Sequence, residues 1–513
     1  MRIHLLLLAS CLNVGFLASA SCKKTDTEPT SQVAEAIAGP RITHGVAIGD
    51  VSATHVLLWA RGDRPARLHA HLESADGSSH RGQVAVTEAR DFTGRLVVTG
   101  LRPDTAYQYA VWLSTGDATH ADAAAVPDSA LRGTVRTAPA ADETRPVRLA
   151  WGGDLAGQNV CRDRQRGFAI FEHMPATEFD LFIALGDMIY ADNTCLEQGN
   201  YGNEQIPGPG RAVELAGFWR KWQYAREDRG YREFLARVPT FAVWDDHEVV
   251  NDFGPTSDTR DEAPYRAGVH LMPTGLRAFI DYNAIAPDTS EPGAPRRLYR
   301  SVRWGKHLEL FFLDTRQYRA PNSASDTGAE PKSLLGSEQR AWLVRGLTGS
   351  TATWKLVVSS VPMAIPTGDP ASSARDGWAN FDHDTGFERE LLAILREFQK
   401  AGENRTVWLT TDVHFATAFR YQPFADAEDF RVYEFVSGPL SAGLFPKRDL
   451  DPTLHGERLF FHGPDDPESV TNYDDALGWM NVGALTIDAE GALTVRIVNG
   501  RGETVFTTTL QPN

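Results

Sequence analysis

Between residues 41 and 139, apolar side chains tend to fall on every second position. Leu68, Ala70 and Leu72 alternate with polar neighbours, and Tyr107, Tyr109, Val111 and Leu113 keep the same spacing. A period of two turns one face of a strand to a core and the other to water. Turn-forming segments (GDRPAR, ADGSS, LRPDTAY) separate the runs. The region therefore predicts an all-β sandwich of fibronectin or immunoglobulin type, roughly 100 residues long. No catalytic residue stands out in it, so packing or positioning is its expected role.

The pattern changes at Val147. Continuous apolar runs (VRLAWGG, FDLFIALG, TFAVWD, LELFFLD, WKLVVSS, TVWLTTD) recur, and several are separated by helix-patterned stretches: RGFAIFEHM, ELAGFWRKWQYAREDRGYREFLARV, SEQRAWLVRGL and GFERELLAILREFQKAG. Buried strands alternating with helices predict α/β layers. Ligands in such folds bind beyond the C-terminal strand ends. The predicted domains are the sandwich, 41–139, and an α/β domain, 145–513. At 513 residues two domains are the ordinary expectation.

The N-terminus changes the compartment. Met1-Arg2 is a short positive start, Leu5 to Ala20 is mostly apolar, and small residues lead to Cys22. This predicts an export signal over 1–22 rather than a spanning helix, which needs about 20 apolar residues. Cys22 followed by Lys23-Lys24 also fits a lipoprotein cleavage site, which would tether the chain to a membrane through lipidated Cys22. The other outcome is a soluble secreted protein. Residues 23–40 are polar and aperiodic and predict a linker. With Cys11 removed and Cys22 lipidated or cleaved, Cys161 and Cys195 remain together in an oxidising compartment, where a disulfide is expected.

A formal net charge of −16 argues against nucleic-acid binding, which draws most of its affinity from Lys and Arg. It leaves a small phosphorylated substrate open, because metal ions can supply positive charge locally. Four strand ends carry the chemistry: Asp154 in WGGDLAGQ, Asp187 and Tyr190 in LGDMIYADN, Asp245 to Glu248 in VWDDHEVVNDF, and Asp412 with His414 in LTTDVHFA. A lone Asp after a strand is usually a cap or turn former. Several at one end of a sheet repel one another unless cations neutralise them.

The series GD…GDxxY…DDHE…DVHF, with FFLDTRQYR and GVAIGD, resembles the alkaline phosphatase D family of the calcineurin-like metallophosphoesterase superfamily. That resemblance implies a β-sandwich ahead of a four-layer α/β metallophosphoesterase domain. It implies a phosphoric ester hydrolase with two metal ions that activate a bridging hydroxide. Asp187 would bridge the ions. Asp154, Tyr190 and His414 would complete the first site, and Asp246 and Asp412 the second, with Asn251 adding an oxygen or touching substrate. The phenolate suits Fe³⁺ and the carboxylates suit Ca²⁺, with Zn²⁺ or Mn²⁺ as alternatives at the first site. His247 would protonate the leaving group or else support Asp187 or Glu248. Arg316 would bind a phosphate oxygen, or else pair with Asp314 or another carboxylate. Two positions depart from the family's habit: Asp154 stands where relatives carry Cys, and Thr411 where they carry Gly. The implied activity is on phosphate mono- or diesters. A phospholipase-like activity on lipid head groups and an inactive surface-binding protein are the competing readings.

Overall fold

Alternation between residues 41 and 139 builds seven strands: β1 (Ile42–Gly49), β2 (His55–Gly62), β3 (Ala66–Ser74), β4 (Ser79–Val86), β5 (Thr93–Thr99), β6 (Ala106–Ser114) and β7 (Leu131–Arg136). The structure is a computed structural model. It describes residues 39–115, 125–174, 179–255, 264–265, 270–286, 296–322, 325–326, 332–367, 376–380 and 386–512. The expected signal, Cys22 and nearly all of the linker lie outside these residues. Among the described residues no helix is long and apolar enough to cross a membrane.

Strands β3, β4, β6 and β7 form a four-stranded antiparallel sheet in the order β4-β3-β6-β7. The inward set read from the sequence is buried there: Leu68, Ala70, Leu72, Tyr107, Tyr109 and Val111. β1, β2 and β5 do something the sequence did not suggest. They extend a nine-stranded sheet in the order β20-β19-β18-β8-β9-β10-β1-β2-β5. Its other strands are β8 (Val147–Gly152), β9 (Leu181–Leu185), β10 (Thr240–Val243), β18 (Asn481–Ile487), β19 (Leu493–Asn499) and β20 (Thr504–Leu510). The junction is a parallel contact in which Gly49 opposes Thr240. Trp59 Nε1 donates to the Asp281 carbonyl at 2.8 Å, and Tyr109 Oη to the Ala236 carbonyl at 2.6 Å. Hydrogen bonding thus crosses the boundary expected near residue 140, and Gly39–Asn513 form one compact unit.

A seven-stranded sheet has the order β11-β12-β13-β14-β16-β15-β17. Its strands are β11 (Arg300–Trp304), β12 (Leu308–Phe312), β13 (Trp354–Val358), β14 (Arg405–Thr410), β15 (Ala416–Tyr421), β16 (Arg431–Val436) and β17 (Gly456–His462). Both faces of the interior strands β12, β13 and β14 are largely buried, which is why these runs read as continuously apolar. Leu149, Ile183 and Phe241 share a core with Leu310, Leu356 and Leu409. The opposite face of the first sheet packs on helices α1 (Leu215–Arg226), α2 (Arg229–Leu235) and α3 (Met272–Tyr282). The opposite face of the second packs on α4 (Gly336–Gly349) and α5 (Glu388–Lys400). In α5, Leu391, Ile394, Leu395 and Phe398 fall on one helical stripe and are all buried. The stretch RGFAIFEHM, read as helix, forms only a 3₁₀ turn over Ala169–His173. Gly167 enters it at φ +65°, and the Phe168 N–H donates to the Asp228 carboxylate instead of to a helical carbonyl.

β8, β9 and β10 run parallel, as do β12, β13, β14 and β16. The C-terminal ends of β8, β9 and β10 are followed by Asp154, Asp187 and Asp245-Asp246, and that of β14 by Asp412.

Candidate metal centre

The turns that present these carboxylates are conformationally unusual. Asp154 (φ 62°), Asp187 (φ 52°), Asp252 (φ 58°), Asp412 (φ 81°) and His414 (φ 57°) all occupy the left-handed region. Non-glycine residues seldom do so, and such strain gathers at functional sites. Gly186 makes one approach feasible: a Cβ there would lie 2.8 Å from Asp245 Cβ. Cys161 and Cys195 are disulfide-bonded, Cα–Cα 5.9 Å. The bond joins the segments after Asp154 and Asp187 across 34 residues, a loop whose closure is worth roughly 3–4 kcal/mol.

Tyr190, His414 and Asp154 meet in a buried triangle. Tyr190 Oη lies 2.9 Å from His414 Nε2, and Asp154 Oδ1 lies 3.4 Å from both. His414 Nδ1 bonds to the Gly443 carbonyl. A carbonyl only accepts, so Nδ1 carries the hydrogen, and Nε2 is the ring nitrogen that faces Tyr190 and could bind a metal ion. Atoms sharing one ion at about 2.1 Å stand roughly 2.9–3.4 Å apart, which this triangle matches.

Beside it the carboxylates crowd. Ligand atoms of Asp187, Asp246 and His247 lie within 4.8 Å of one another, as do those of Asp187, Asp245 and Asp412, and of Asp245, Asp246 and Asp376. Buried Asp245 Oδ2, Asp246 Oδ1 and Asp412 Oδ2 have no hydrogen-bond partner. Burial, and then the charges of Asp246, Asp245, Glu248 and Asp154, push the Asp187 carboxyl well above the usual range. Burial, and then Asp245, Asp376 and Asp246, do the same to Asp412. Burial raises Asp245 to about 7 against the pull of Arg316. Unpartnered carboxylate oxygens in so acidic a site are what hard cations require, so the donor set fits metal ions.

A cavity of about 270 Å³ opens on Asp187, Asp246, His247, Asp412 and His414, with Arg448 on its wall. A larger cavity, about 620 Å³, contains none of these groups. Three of the arginines along it are matched by acids: Arg162 to Glu227 at 3.2 Å, Arg164 to Glu197 at 2.9 Å and Arg166 to Glu172 at 2.9 Å.

One predicted role is corrected. The Arg316 side chain is 0% exposed. Its Nε donates to Asp245 Oδ1 at 2.5 Å, and its terminal nitrogens make a two-pronged pair with Asp376. Asp314 accepts only its backbone N–H, at 3.1 Å. Buried among three aspartates, with Asp246 at 3.8 Å, Arg316 does not line the cavity, and the ion-pair alternative describes it. His247 lines the cavity. Its backbone N–H donates to Asp187 at 3.1 Å, in keeping with the supporting role at Asp187, while its ring Nδ1 is held by Asp192 at 2.7 Å. Asn251 also lines the cavity, and its N–H donates to Asp192 at 3.1 Å.

Sequence reasoning gave no role to Asp192, Asp245, Asp376 or Arg448. Asp192 and Asp245 stand inside the quoted motifs LGDMIYADN and VWDDHE, so the signal was present but undifferentiated. Asp376 and Arg448 lie outside any motif.

The comparisons agree with this architecture. Structures of similar fold include PhoD (TM-score 0.71, 20% identity, 92% of this chain and 93% of that one) and a purple acid phosphatase from yellow lupin seeds (TM-score 0.59, 11% identity, 92% and 74%). The fold is that of a phosphatase with a candidate metal centre at its strand ends. Residues 149–496 match the PhoD-like phosphatase model, and residues 27–151 that of the PhoD-like phosphatase N-terminal domain. The chain belongs to the PhoD-like phosphatase family and is a phosphoric ester hydrolase. It is 23% identical to alkaline phosphatase D of Bacillus subtilis (strain 168), over 78% of this chain and 69% of that one.

Proposed function

We propose that this chain is an exported phosphatase or phosphodiesterase of small phosphate esters that works with two unlike metal ions. The carrying observation is the convergence of unpartnered, buried oxygens from Asp245, Asp246 and Asp412 beside Asp187. The mixed oxygen and nitrogen donors of Asp154, Tyr190 and His414 suit Fe³⁺, with Zn²⁺ or Mn²⁺ as substitutes. The carboxylates of Asp246 and Asp412, with Asp187 shared, suit Ca²⁺. Ions held by these residues would neutralise phosphoryl charge and lower the pKa of a bound water. The N-terminal strands read as a fibronectin-like sandwich that braces a four-layer α/β metallophosphoesterase domain.

The chain's own residues do the rest. Asp192 fixes the His247 ring through Nδ1 on the cavity wall, where His247 passes a proton to the leaving oxygen. Arg448 takes the role withdrawn from Arg316 and receives the non-bridging phosphoryl oxygens. Phe445, stacked on His414 with ring centroids 4.1 Å apart, lends an apolar wall for the leaving group.

The test is metal analysis of the purified protein beside assays on one phosphomonoester and one phosphodiester. Two ions per chain and hydrolysis of at least one ester are expected, with both sharply reduced in Asp187→Asn. A metal-free protein that hydrolyses either ester at full rate would overturn the reading.

A further inference from the structure

Asp154 and Thr411 are 257 residues apart in sequence, yet Thr411 Oγ1 donates to Asp154 Oδ2 at 2.7 Å. Both are buried, Asp154 at 0% and Thr411 at 1% exposed. The contact is built around Gly438, at φ +143°. A Cβ there would come within 2.4 Å of Asp154 Oδ2 and 2.6 Å of Thr411 Oγ1. Only a residue without a side chain leaves room for that hydrogen bond. The hydroxyl therefore claims one carboxylate oxygen and leaves the other, Oδ1, at 3.4 Å from both Tyr190 Oη and His414 Nε2.

We infer that Thr411 is a positioning residue that makes Asp154 a one-oxygen ligand of the first metal ion. Resting on the two-metal reading above, this says which oxygen binds and why. A carboxylate with both oxygens loose can swing or chelate through both; one pinned through Oδ2 presents a single, aimed oxygen. Partners outside the ligand set orient ligands in this way, and losing one commonly costs roughly 10–100-fold in affinity. Thr411 commits its only hydroxyl hydrogen to Asp154 Oδ2, so its part is to orient that carboxylate.

The experiment is competition dialysis of full-length protein with Zn²⁺, and separately with Mn²⁺, for wild type, Thr411→Val, Thr411→Ala and Thr411→Ser. Val keeps the shape and removes the donor, Ala removes the donor without adding bulk, and Ser restores it. The expected result is affinity for one of the two ions lower by roughly 10–100-fold in Val and Ala, and within about 3-fold of wild type in Ser. The second ion should bind unchanged. In an Asp154→Asn background, Thr411→Ala should have almost no further effect, because the two act as a unit. Wild-type affinity in Val or Ala, or additive losses in the double variant, would overturn the inference. Should Val not fold, Ala and the double variant decide it. If wild type itself bound no metal, the two-metal reading would fail, a result distinct from failure of this one.

Discussion

The carboxylate of Glu248 accepts the backbone N–H of Asp187 at 3.0 Å. Through its two oxygens it also holds the N–H groups of Asp245 at 2.7 Å and Met188 at 2.8 Å. One buried side chain thus pins the turns after β9 and β10 to each other. Burial, opposed by those N–H groups, leaves its pKa raised to about 8.

Glu248→Gln must set an amide NH₂ against at least one of these N–H groups, whichever way it rotates. An unmade buried hydrogen bond costs about 1–3 kcal/mol. The urea midpoint of chelated protein should fall accordingly, and metal affinity should fall with it as the Asp187 turn loosens. An unchanged midpoint would show that Glu248 does not organise the turns.

Arg316 and Arg448 should separate cleanly. Arg316→Met strands Asp245 without its cation and leaves Asp376 with Arg319 alone, and breaking such a buried pair costs roughly 3–5 kcal/mol. Poor expression or a large drop in thermal midpoint is expected. Arg448→Ala, which gives up a bond to the Pro366 carbonyl at 3.4 Å, should lower the midpoint far less and raise KM by roughly 10-fold or more, the loss of a charge-assisted bond. If Arg448→Ala left KM unchanged for both monoester and diester, Arg448 would have no part in binding.

What the sequence made legible follows from where information is local. Motifs at strand ends pointed to Asp154, Asp187, Tyr190, Asp246, Asp412 and His414 because each follows an apolar run, and the topology carries every such run to one edge. The choice between the two readings of Arg316 was not legible because the cation requirement of Asp245 and Asp376 arises only on folding; Asp376 lies 60 residues away with no motif around it. Likewise Asp154 and Thr411 looked like two separate departures, and only three-dimensional contact joins them. The continuity of β1 with β10 was hidden for a related reason: alternation reports that a strand has two faces but not which neighbour it pairs with.

Buried Lys221 provides a pH test away from the metals. Its ammonium donates to the Asn193 carbonyl, beside the Asp192 that holds His247. Burial lowers its pKa from 10.5 to about 8, with Asp192 opposing the shift. The folded form therefore binds the proton less tightly than the unfolded form. Its destabilising effect is full below pH 8 and fades as pH rises from about 8 to 10.5, so wild-type stability gains a rising component across that window. Lys221→Met should flatten that component and be no less stable at pH 7. Parallel pH–stability curves for the two proteins would refute this.

Tyr190 tests the identity of the first ion. Burial, and then the charges of Asp154, Asp187, Asp246 and Asp412, push its phenol well above 10. Ligation as phenolate requires an ion able to reverse that shift. Fe³⁺ has the charge to do so, whereas Ca²⁺ carries less and prefers carboxylates and carbonyls. Purified enzyme should therefore show a visible phenolate-to-iron absorption band, and Tyr190→Phe should bleach it. A calcium-selective chelator should stop turnover while leaving the band if, as proposed, Asp246 and Asp412 hold calcium and the triangle of Tyr190, His414 and Asp154 holds iron. A colourless, fully active enzyme holding only Zn²⁺ or Mn²⁺ would end the case for iron. The carboxylates would still require cations, and the departure at Asp154 would then mark a first site built for a divalent ion.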